Sequence, residues 1–366
     1  MNTYANAYDP PEAPEAPKPH TPGNLGPRNH PMNLFTYEDA PDADAAVAAV
    51  SEAGDEARVD YVNGGTTVLD LMKLGVRQPA KLVSLKSAGL PAGVEETDAG
   101  VRVGAGARMS EVADHPLVAE AFPVIRESLL LAASPQIRNM ASIGGNLLQR
   151  TRCGYFRHTQ FRCNKREPGS GCDAIEGDNR LLAVLGTSEH CIASYPGDLA
   201  AALVALDATV LVRGSGGERT LPLRGLHRLP GDAPHLETVL EPGELILSVD
   251  VPASAAARHS TYVKARDRAS YAFANASAAV GLELDGDTVK DVKIGLGGVA
   301  TTPWHAAAAE EALRGRPATE PNFRAAADAA LAEARPQAHN GFKVPLAKNV
   351  LVRALCVLAD LPLDPT

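Results

Sequence analysis

The chain has 366 residues, of which 45% are hydrophobic and 22% charged, a composition typical of a folded protein with two or three domains. Its 35 lysines and arginines against 44 aspartates and glutamates leave a net charge of −9, which argues against a nucleic-acid partner because acidic surfaces repel a phosphate backbone. No run of about 18 apolar residues occurs, so the sequence predicts no membrane-spanning helix.

The first 31 residues differ in composition from the rest of the chain. They contain eight prolines and almost no aliphatic residues, so they cannot bury enough apolar surface to form a core. They also lack the apolar stretch of a secretory signal. We predict an N-terminal arm over 1–31, either a loosely held terminus or a segment that wraps a partner subunit.

From residue 32 onward the pattern predicts alternating helices and strands. An Ala-rich stretch with possible caps at Asp42 and Asp44 predicts a helix over 45–53. Strands over 59–62 and 82–85 flank a helix over 68–73, which makes a compact βαβ unit with a glycine-rich turn between its first two elements. A second region is predicted to contain a strand over 101–106, helices over 117–133 and 198–207, and strands over 209–212 and 245–251.

The last third of the chain predicts a different arrangement. Three strands in succession, over 262–265, 277–284 and 289–294, indicate an antiparallel meander. Three helices follow, over 310–314, 323–334 and 344–361. Within the second region, residues 151–194 lose regular apolar periodicity, and so long an irregular stretch requires a functional reason.

Four of the five cysteines lie in that irregular stretch: Cys153, Cys163, Cys172 and Cys191. Disulfides do not suit a large chain without a secretory signal, and a structural zinc usually takes closely spaced cysteine pairs, which are absent. A [4Fe–4S] cluster accepts widely spaced ligands. The spacing alone leaves three alternatives open: a cluster, a zinc, or thiols without a metal. Cys356 lies on an apolar helical face and is predicted to be a buried small hydrophobic residue.

Positive residues crowd the same stretch, and we expect them to lower the pKa of the thiols and to balance the charge of a cluster. They are Arg150, Arg152, Arg157, Arg162, Lys165 and Arg166.

Two glycine turns, at 63–67 and 142–146, have the chemistry of a phosphate site. Glycine lets the backbone approach a bulky group, and main-chain N–H groups at the start of a helix favour an anion. Two such turns in one α/β region favour a dinucleotide, although each could also be a plain strand-to-helix turn. The spacing is not that of the nicotinamide-binding fingerprint or of a nucleotide-triphosphate loop.

These turns, with the segments 70–73, 196–198, 264–272 and 295–300, resemble the FAD-binding subunit of the xanthine oxidase family of molybdenum hydroxylases. The resemblance covers about residues 32–360. The four-cysteine segment looks like that of the flavin subunit of bacterial periplasmic aldehyde oxidoreductase, which carries an additional [4Fe–4S] cluster. The resemblance therefore implies FAD and a [4Fe–4S] cluster as cofactors, with the four cysteines as its ligands.

The implied fold class combines α/β and α+β architecture: a two-lobed FAD-binding domain with an inserted iron–sulfur loop, followed by an α+β C-terminal domain. The implied boundaries are 32–85 for the first lobe, 86–254 for the second lobe with the insertion at 150–195, and 255–366 for the C-terminal domain.

The resemblance assigns the first turn to the FAD pyrophosphate, through Tyr61, Val62, Asn63, Gly64, Gly65, Thr66, Thr67 and Val68. Ser142, Gly145 and Asn146 would form the second wall of the site.

Three further residues are carried over to the flavin ring. Asp198 would contact the flavin at the start of a helix, Ile246 would pack on the isoalloxazine, and Lys264 would lie beside the N1/O2 edge and tune the potential. From the residues alone, Asp198 could instead cap its helix, Ile246 could be core and Lys264 could be solvated.

The implied function is an electron-transfer subunit without catalytic residues of its own. It would take electrons from a large molybdopterin subunit and a small [2Fe–2S] subunit in a heterotrimer, and pass them through FAD to an external acceptor. With no export signal on this chain, the compartment is cytoplasmic or periplasmic. The alternatives are a self-standing flavin oxidoreductase with a structural zinc and a non-catalytic interaction module.

Overall fold

The structure is a computed structural model that describes residues 32–53 and 58–362. The arm predicted over 1–31 lies outside the described residues, as do the last four residues of the predicted C-terminal domain.

The chain first builds a small parallel sheet with the strand order β1-β3-β2. Its elements are β1 (Thr36–Asp39), α1 (Ala43–Ser51), β2 (Val59–Val62), α2 (Val68–Lys73) and β3 (Lys81–Ser84). Asp42 caps α1 by accepting a hydrogen bond from the Ala45 N–H at 2.7 Å. The predicted βαβ unit is confirmed, because β2 and β3 pair in parallel with α2 between them. Strand β1 was not predicted, because all four of its side chains are exposed.

The second sheet has five antiparallel strands in the order β4-β5-β8-β6-β7. These are β4 (Val94–Thr97), β5 (Gly100–Gly104), β6 (Thr209–Gly214), β7 (Gly217–Pro222) and β8 (Leu245–Pro252). Its helices are α3 (Met109–Asp114), α4 (Pro116–Ala121), α5 (Pro123–Leu131), α6 (Pro135–Arg138), α7 (Ile143–Leu147) and α9 (Asp198–Ala205).

The single helix predicted over 117–133 is wrong, because the structure has two helices there. Phe122, with φ −142° and ψ 59°, leaves the helical region between α4 and α5. Pro123 then starts α5, since proline has no N–H to continue the preceding helix and suits a first helical position.

The predicted irregular stretch contains one four-residue helix, α8 (Gly154–Arg157), among turns and isolated bridges. It encloses a small apolar cluster of its own, which α2 also joins through Leu71.

The C-terminal part is the predicted meander, confirmed as antiparallel pairing in the strand order β12-β11-β10-β9. The strands are β9 (Ser260–Ala265), β10 (Ala276–Asp285), β11 (Thr288–Gly297) and β12 (Trp304–His305), and the helices are α10 (Ala255–Arg258), α11 (Ala307–Leu313), α12 (Glu320–Ala330) and α13 (Lys343–Leu358). Cys356 on α13 is buried, as predicted. None of the helices in the part of the chain that the structure describes is long and apolar enough to cross a membrane.

Candidate functional site

The two predicted glycine turns pack against each other. A side chain at position 64 would collide with the main-chain carbonyl of Met140, two residues before the second turn. Gly65 adopts φ +71°, a left-handed conformation that favours glycine. The glycines of the first turn are therefore required both for its shape and for its contact with the second.

Main-chain hydrogen bonds hold the second turn in place, and one buried polar side-chain atom of the turn has no hydrogen-bond partner within the described residues. The Ile143 and Gly144 N–H groups each donate at 2.9 Å to carbonyls of the strand-to-helix segment 105–107. Ser142 caps α7, its hydroxyl accepting from the Gly145 N–H at 3.3 Å. The side-chain Oδ1 of Asn146 is buried and has no hydrogen-bond partner within the described residues. Such an atom marks a place where a polar ligand group is missing.

In the first turn, the side chain and the main chain of Tyr61 have different roles. The Tyr61 hydroxyl donates to the carbonyls of Ala46 (3.1 Å) and Gly243 (2.7 Å), and burial raises its pKa. Its side chain is thus engaged with α1, and only its main chain is available for a ligand at the turn. Thr67 precedes α2 without making a capping bond, so its hydroxyl is not used by the helix.

Asp198 and Lys264, predicted separately, form one buried ion pair. Lys264 Nζ donates to Asp198 Oδ2 at 2.8 Å and to the Leu131 carbonyl at 3.1 Å, and the Tyr262 hydroxyl donates to Asp198 Oδ1 at 2.6 Å. Burial raises the pKa of Asp198, and Lys264 opposes that rise. Asp198 does not cap α9, because the cap position is Gly197 and no side-chain capping bond is made.

Tyr262 was missed by sequence reasoning, and one signal could have found it. It lies two residues before Lys264 on the same strand, β9, so both side chains point to the same face.

Ile246 lies on β8 with 4% of its surface exposed, inside the apolar core of the second sheet. The structure therefore places it among core residues, and its predicted contact with the isoalloxazine stays a prediction.

The four loop cysteines lie in one small apolar cluster. Cys153, Cys163 and Cys191 are buried, Cys172 is partly exposed, and all four are free thiols. Cys163 and Cys172 pair across an isolated antiparallel bridge, and the Ala193 N–H donates to Cys191 Sγ at 3.5 Å. The fold of the loop thus brings together four cysteines that are spread over residues 153–191.

We expected the neighbouring cations to lower the pKa values of these thiols, but at three of the four thiols the net shift is a rise. Burial raises the pKa of Cys153 to about 12 and that of Cys191 to about 11, and it also raises the pKa of Cys172. Lys165 opposes the rise at Cys191, but burial outweighs it.

Each of the neighbouring cations is also engaged by other groups of the protein. Arg150 and Lys165 contact Glu237, Arg152 and Arg157 contact Asp70, Arg162 contacts Asp173, and Arg166 donates to carbonyls of the loop. Glu237 was missed by sequence reasoning, since nothing in its local sequence distinguishes it.

Within residues 32–53 and 58–362, no group of three or more His, Cys, Asp or Glu side chains is arranged to hold a single metal ion. This finding supports neither the zinc nor the [4Fe–4S] cluster in this part of the chain, so the cluster stays a prediction.

Comparisons with known proteins cover most of the chain. Residues 33–254 match the family model described as the FAD binding domain in molybdopterin dehydrogenase, and residues 260–357 match the CO dehydrogenase flavoprotein C-terminal domain. The aldehyde oxidoreductase FAD-binding subunit PaoB of Escherichia coli is 44% identical over 328 residues, covering 88% of this chain and 98% of the relative.

Two carbon monoxide dehydrogenases are similar at lower identity. The medium chain from Hydrogenophaga pseudoflava is 26% identical over 88% of this chain and 96% of its own length. The solved structure of reconstituted CO dehydrogenase from Oligotropha carboxidovorans superposes with a TM-score of 0.71 at 25% identity, covering 90% of this chain and 99% of that one.

Proposed function

Because the chain belongs to the family of FAD-binding subunits of molybdenum hydroxylases, of the aldehyde oxidoreductase type, we propose that it carries electrons from partner subunits through FAD to an external acceptor. The observation that carries this proposal is the juxtaposition of the two glycine turns, within the segment that matches the FAD-binding model. When bound, FAD supplies two-electron redox chemistry.

The described residues fit FAD at these turns. Gly64 packs directly against the main chain at Met140, and Gly65 takes a left-handed conformation with φ +71°, so glycine shapes the first turn and its contact with the second. Main-chain N–H groups of such turns favour a pyrophosphate. The unpartnered Asn146 Oδ1 and the free Thr67 hydroxyl supply further polar contacts. We propose that the predicted set 61–68, Ser142, Gly145 and Asn146 holds the FAD, with Tyr61 contributing main chain only.

The ion pair of Asp198 and Lys264 has the chemistry needed at the flavin edge. Lys264 has three donors and uses two of them, on Asp198 and Leu131, so one remains for a ligand. We propose that Asp198 and Tyr262 orient the ammonium, which then favours a negative charge on the ring. Ile246 would support the ring from the core behind it.

Three features of the four-cysteine loop support the [4Fe–4S] assignment. Its cysteines are buried or partly buried, they are free thiols, and they share one apolar side-chain cluster. A cube attaches each thiolate to a different iron, so its four sulfurs surround a larger centre than the one a single ion requires. The raised thiol pKa values favour neutral thiols before a metal binds, and coordination to a metal deprotonates them. We propose Cys153, Cys163, Cys172 and Cys191 as the ligands.

We further propose the assembly and the division of the chain. The curated relatives include a FAD-binding subunit and a medium chain of larger enzymes, which supports a heterotrimer with a molybdopterin subunit and a [2Fe–2S] subunit. The three sheets support lobes over 32–85 and 86–254, with the loop at 150–195, and a C-terminal domain from 255. The compartment, cytoplasmic or periplasmic, follows the partner subunits.

The test is cofactor analysis of the complex prepared without oxygen. We expect one FAD per chain, and four irons and four sulfides more than the partner subunits hold. Cys163→Ser should lose those four irons, whereas Cys356→Ser, a buried cysteine on α13 outside the loop, should retain them. Zinc in place of iron would refute the cluster assignment, and absence of flavin would refute the function.

A further inference from the structure

Helix α2 touches both proposed cofactor sites. Its first residue follows the first glycine turn directly, and the Leu69 side chain packs back toward Gly65. On another side, Leu71 belongs to the apolar cluster that contains Cys153, Cys163 and Cys191. One short helix therefore forms a wall of the cysteine loop and an extension of the FAD-binding turn.

An ion-pair triad fastens this helix to the loop. Asp70 accepts from Arg157 at 2.8 and 3.0 Å and from Arg152 at 3.2 Å. Burial disfavours ionised Asp70, yet Arg157 and Arg152 hold its pKa below the ordinary range. The contacts span 82 and 87 residues of chain, so they are a tertiary connection and not a local one.

The two arginines bracket one of the proposed ligands. Arg152 immediately precedes Cys153, and Arg157 ends α8, the four-residue helix that immediately follows it. Arg152 also lies over the Phe273 ring at 5.1 Å, and its buried Nε has no partner within the described residues. The position of Cys153 thus determines where both guanidinium groups hold Asp70.

Resting on the proposed function, we propose that Asp70 is a positioning residue that couples occupancy of the cysteine loop to FAD binding at the turn. Cys153, once it serves as a ligand, would hold Arg152 and Arg157 more firmly on Asp70, and α2 would carry that position to residues 65–68. With Cys153 unligated, the contacts with Asp70 would be retained but less rigid, and the turn would lose part of its preorganisation. Because coupling between two binding sites is reciprocal, FAD should in turn retain the cluster.

A cycle of variants in the assembled complex tests this coupling. Cys163→Ser supplies the empty loop, and FAD Kd is measured by quenching of flavin fluorescence after FAD removal. The ratio of Kd with and without Cys163→Ser is compared in three backgrounds: wild type, Asp70→Asn and Asp60→Asn. Asp60 lies on β2 just before the turn and pairs with Arg77, so Asp60→Asn breaks an ion pair whose two partners both lie outside the loop.

We expect Cys163→Ser to weaken FAD binding by roughly tenfold in the wild type, within the range usual for coupled sites. The ratio should fall to near one in Asp70→Asn, remain near tenfold in Asp60→Asn, and be restored by Asp70→Glu. Fluorescence of Trp304 checks that each variant is folded.

An unchanged ratio in Asp70→Asn, or a ratio of one in the wild type, overturns the coupling while leaving the proposed function intact. Full iron content in Cys163→Ser refutes the ligand assignment and the coupling together. A wild-type complex that binds no FAD refutes the proposed function itself.

Discussion

Lys343 has a buried ammonium group, and its burial disfavours the charged form. It lies at the start of α13 with no exposed surface, and Nζ donates to the carbonyls of Leu181 at 2.9 Å and Gly298 at 2.8 Å. No carboxylate forms an ion pair with it among the described residues. Burial, aided by Arg180, lowers its pKa from the ordinary 10.5 to about 7.

This shift makes stability depend on pH in a defined window. Between pH 7 and 10.5 the unfolded chain binds more protons than the folded chain at this site, so the free energy of unfolding rises with pH there, by at most about 1.4 kcal/mol per pH unit. Below pH 7 both states are protonated and the full penalty, roughly 5 kcal/mol, applies. Above pH 10.5 the penalty is absent.

Lys343→Met removes this titration. It also removes a donor from the Gly298 carbonyl, which costs about 1–3 kcal/mol and does not depend on pH, whereas the Leu181 carbonyl still accepts from the Ser194 hydroxyl at 3.2 Å. The free energy of unfolding of the variant, relative to wild type, should therefore fall steadily from pH 7 to pH 9.5.

Guanidinium unfolding followed by Trp304, the single tryptophan of the chain, measures this difference, because Trp304 packs on the same core as α13. Lys348→Met, on the same helix but partly exposed, is the control and should run parallel to wild type. A constant difference between wild type and Lys343→Met across this range would refute the reasoning.

Three further changes test the proposed sites. Gly64→Ala should lower FAD content severalfold because its methyl group meets the Met140 carbonyl, whereas Gly93→Ala, with open space around it, should not; equal flavin content would contradict this. Lys264→Met should lower the flavin potential by on the order of 30 mV without changing iron content, and an unchanged redox titration would remove Lys264 from the flavin edge. Glu237→Gln, which leaves Arg150 and Lys165 without their partly buried carboxylate, should destabilise the loop by about 1–3 kcal/mol and speed iron loss to a chelator; unaltered loss kinetics would argue against it.

The sequence predicts those helices and strands whose characteristic patterns lie within a short stretch of chain. Strand β2 and helix α2 were predicted with the bounds that the structure has, because a strand, a glycine turn and a helix follow one another within fifteen residues. The failures arise where a local signal is absent or ambiguous. Strand β1 has no buried face, and the apolar period of 117–133 continues across Pro123, which ends one helix and starts another.

The sequence identified individual residues of the site but not the contacts between them. Asp198 and Lys264 were each identified through the resemblance, but their contact spans 66 residues and has no trace in the spacing. The cations near the cysteines were visible in the sequence, whereas the burial of the thiols was not, so the net sign of the resolved thiol pKa shifts was predicted wrongly. The partners of those cations, Glu237 and Asp70, lie far along the chain. Tertiary pairing decides electrostatics, and composition shows only which charges are available.

The cysteine loop joins the two halves of the chain. Its end hydrogen-bonds to the C-terminal part, with the Val184 N–H donating to the Val299 carbonyl at 2.8 Å and the Tyr195 N–H to Ala300 at 2.9 Å. The Tyr195 hydroxyl donates at 3.0 Å to the Leu147 carbonyl at the end of α7, beside the second glycine turn. Because the loop is bonded on both sides, loss of the proposed [4Fe–4S] cluster should loosen the two glycine turns and the C-terminal meander together.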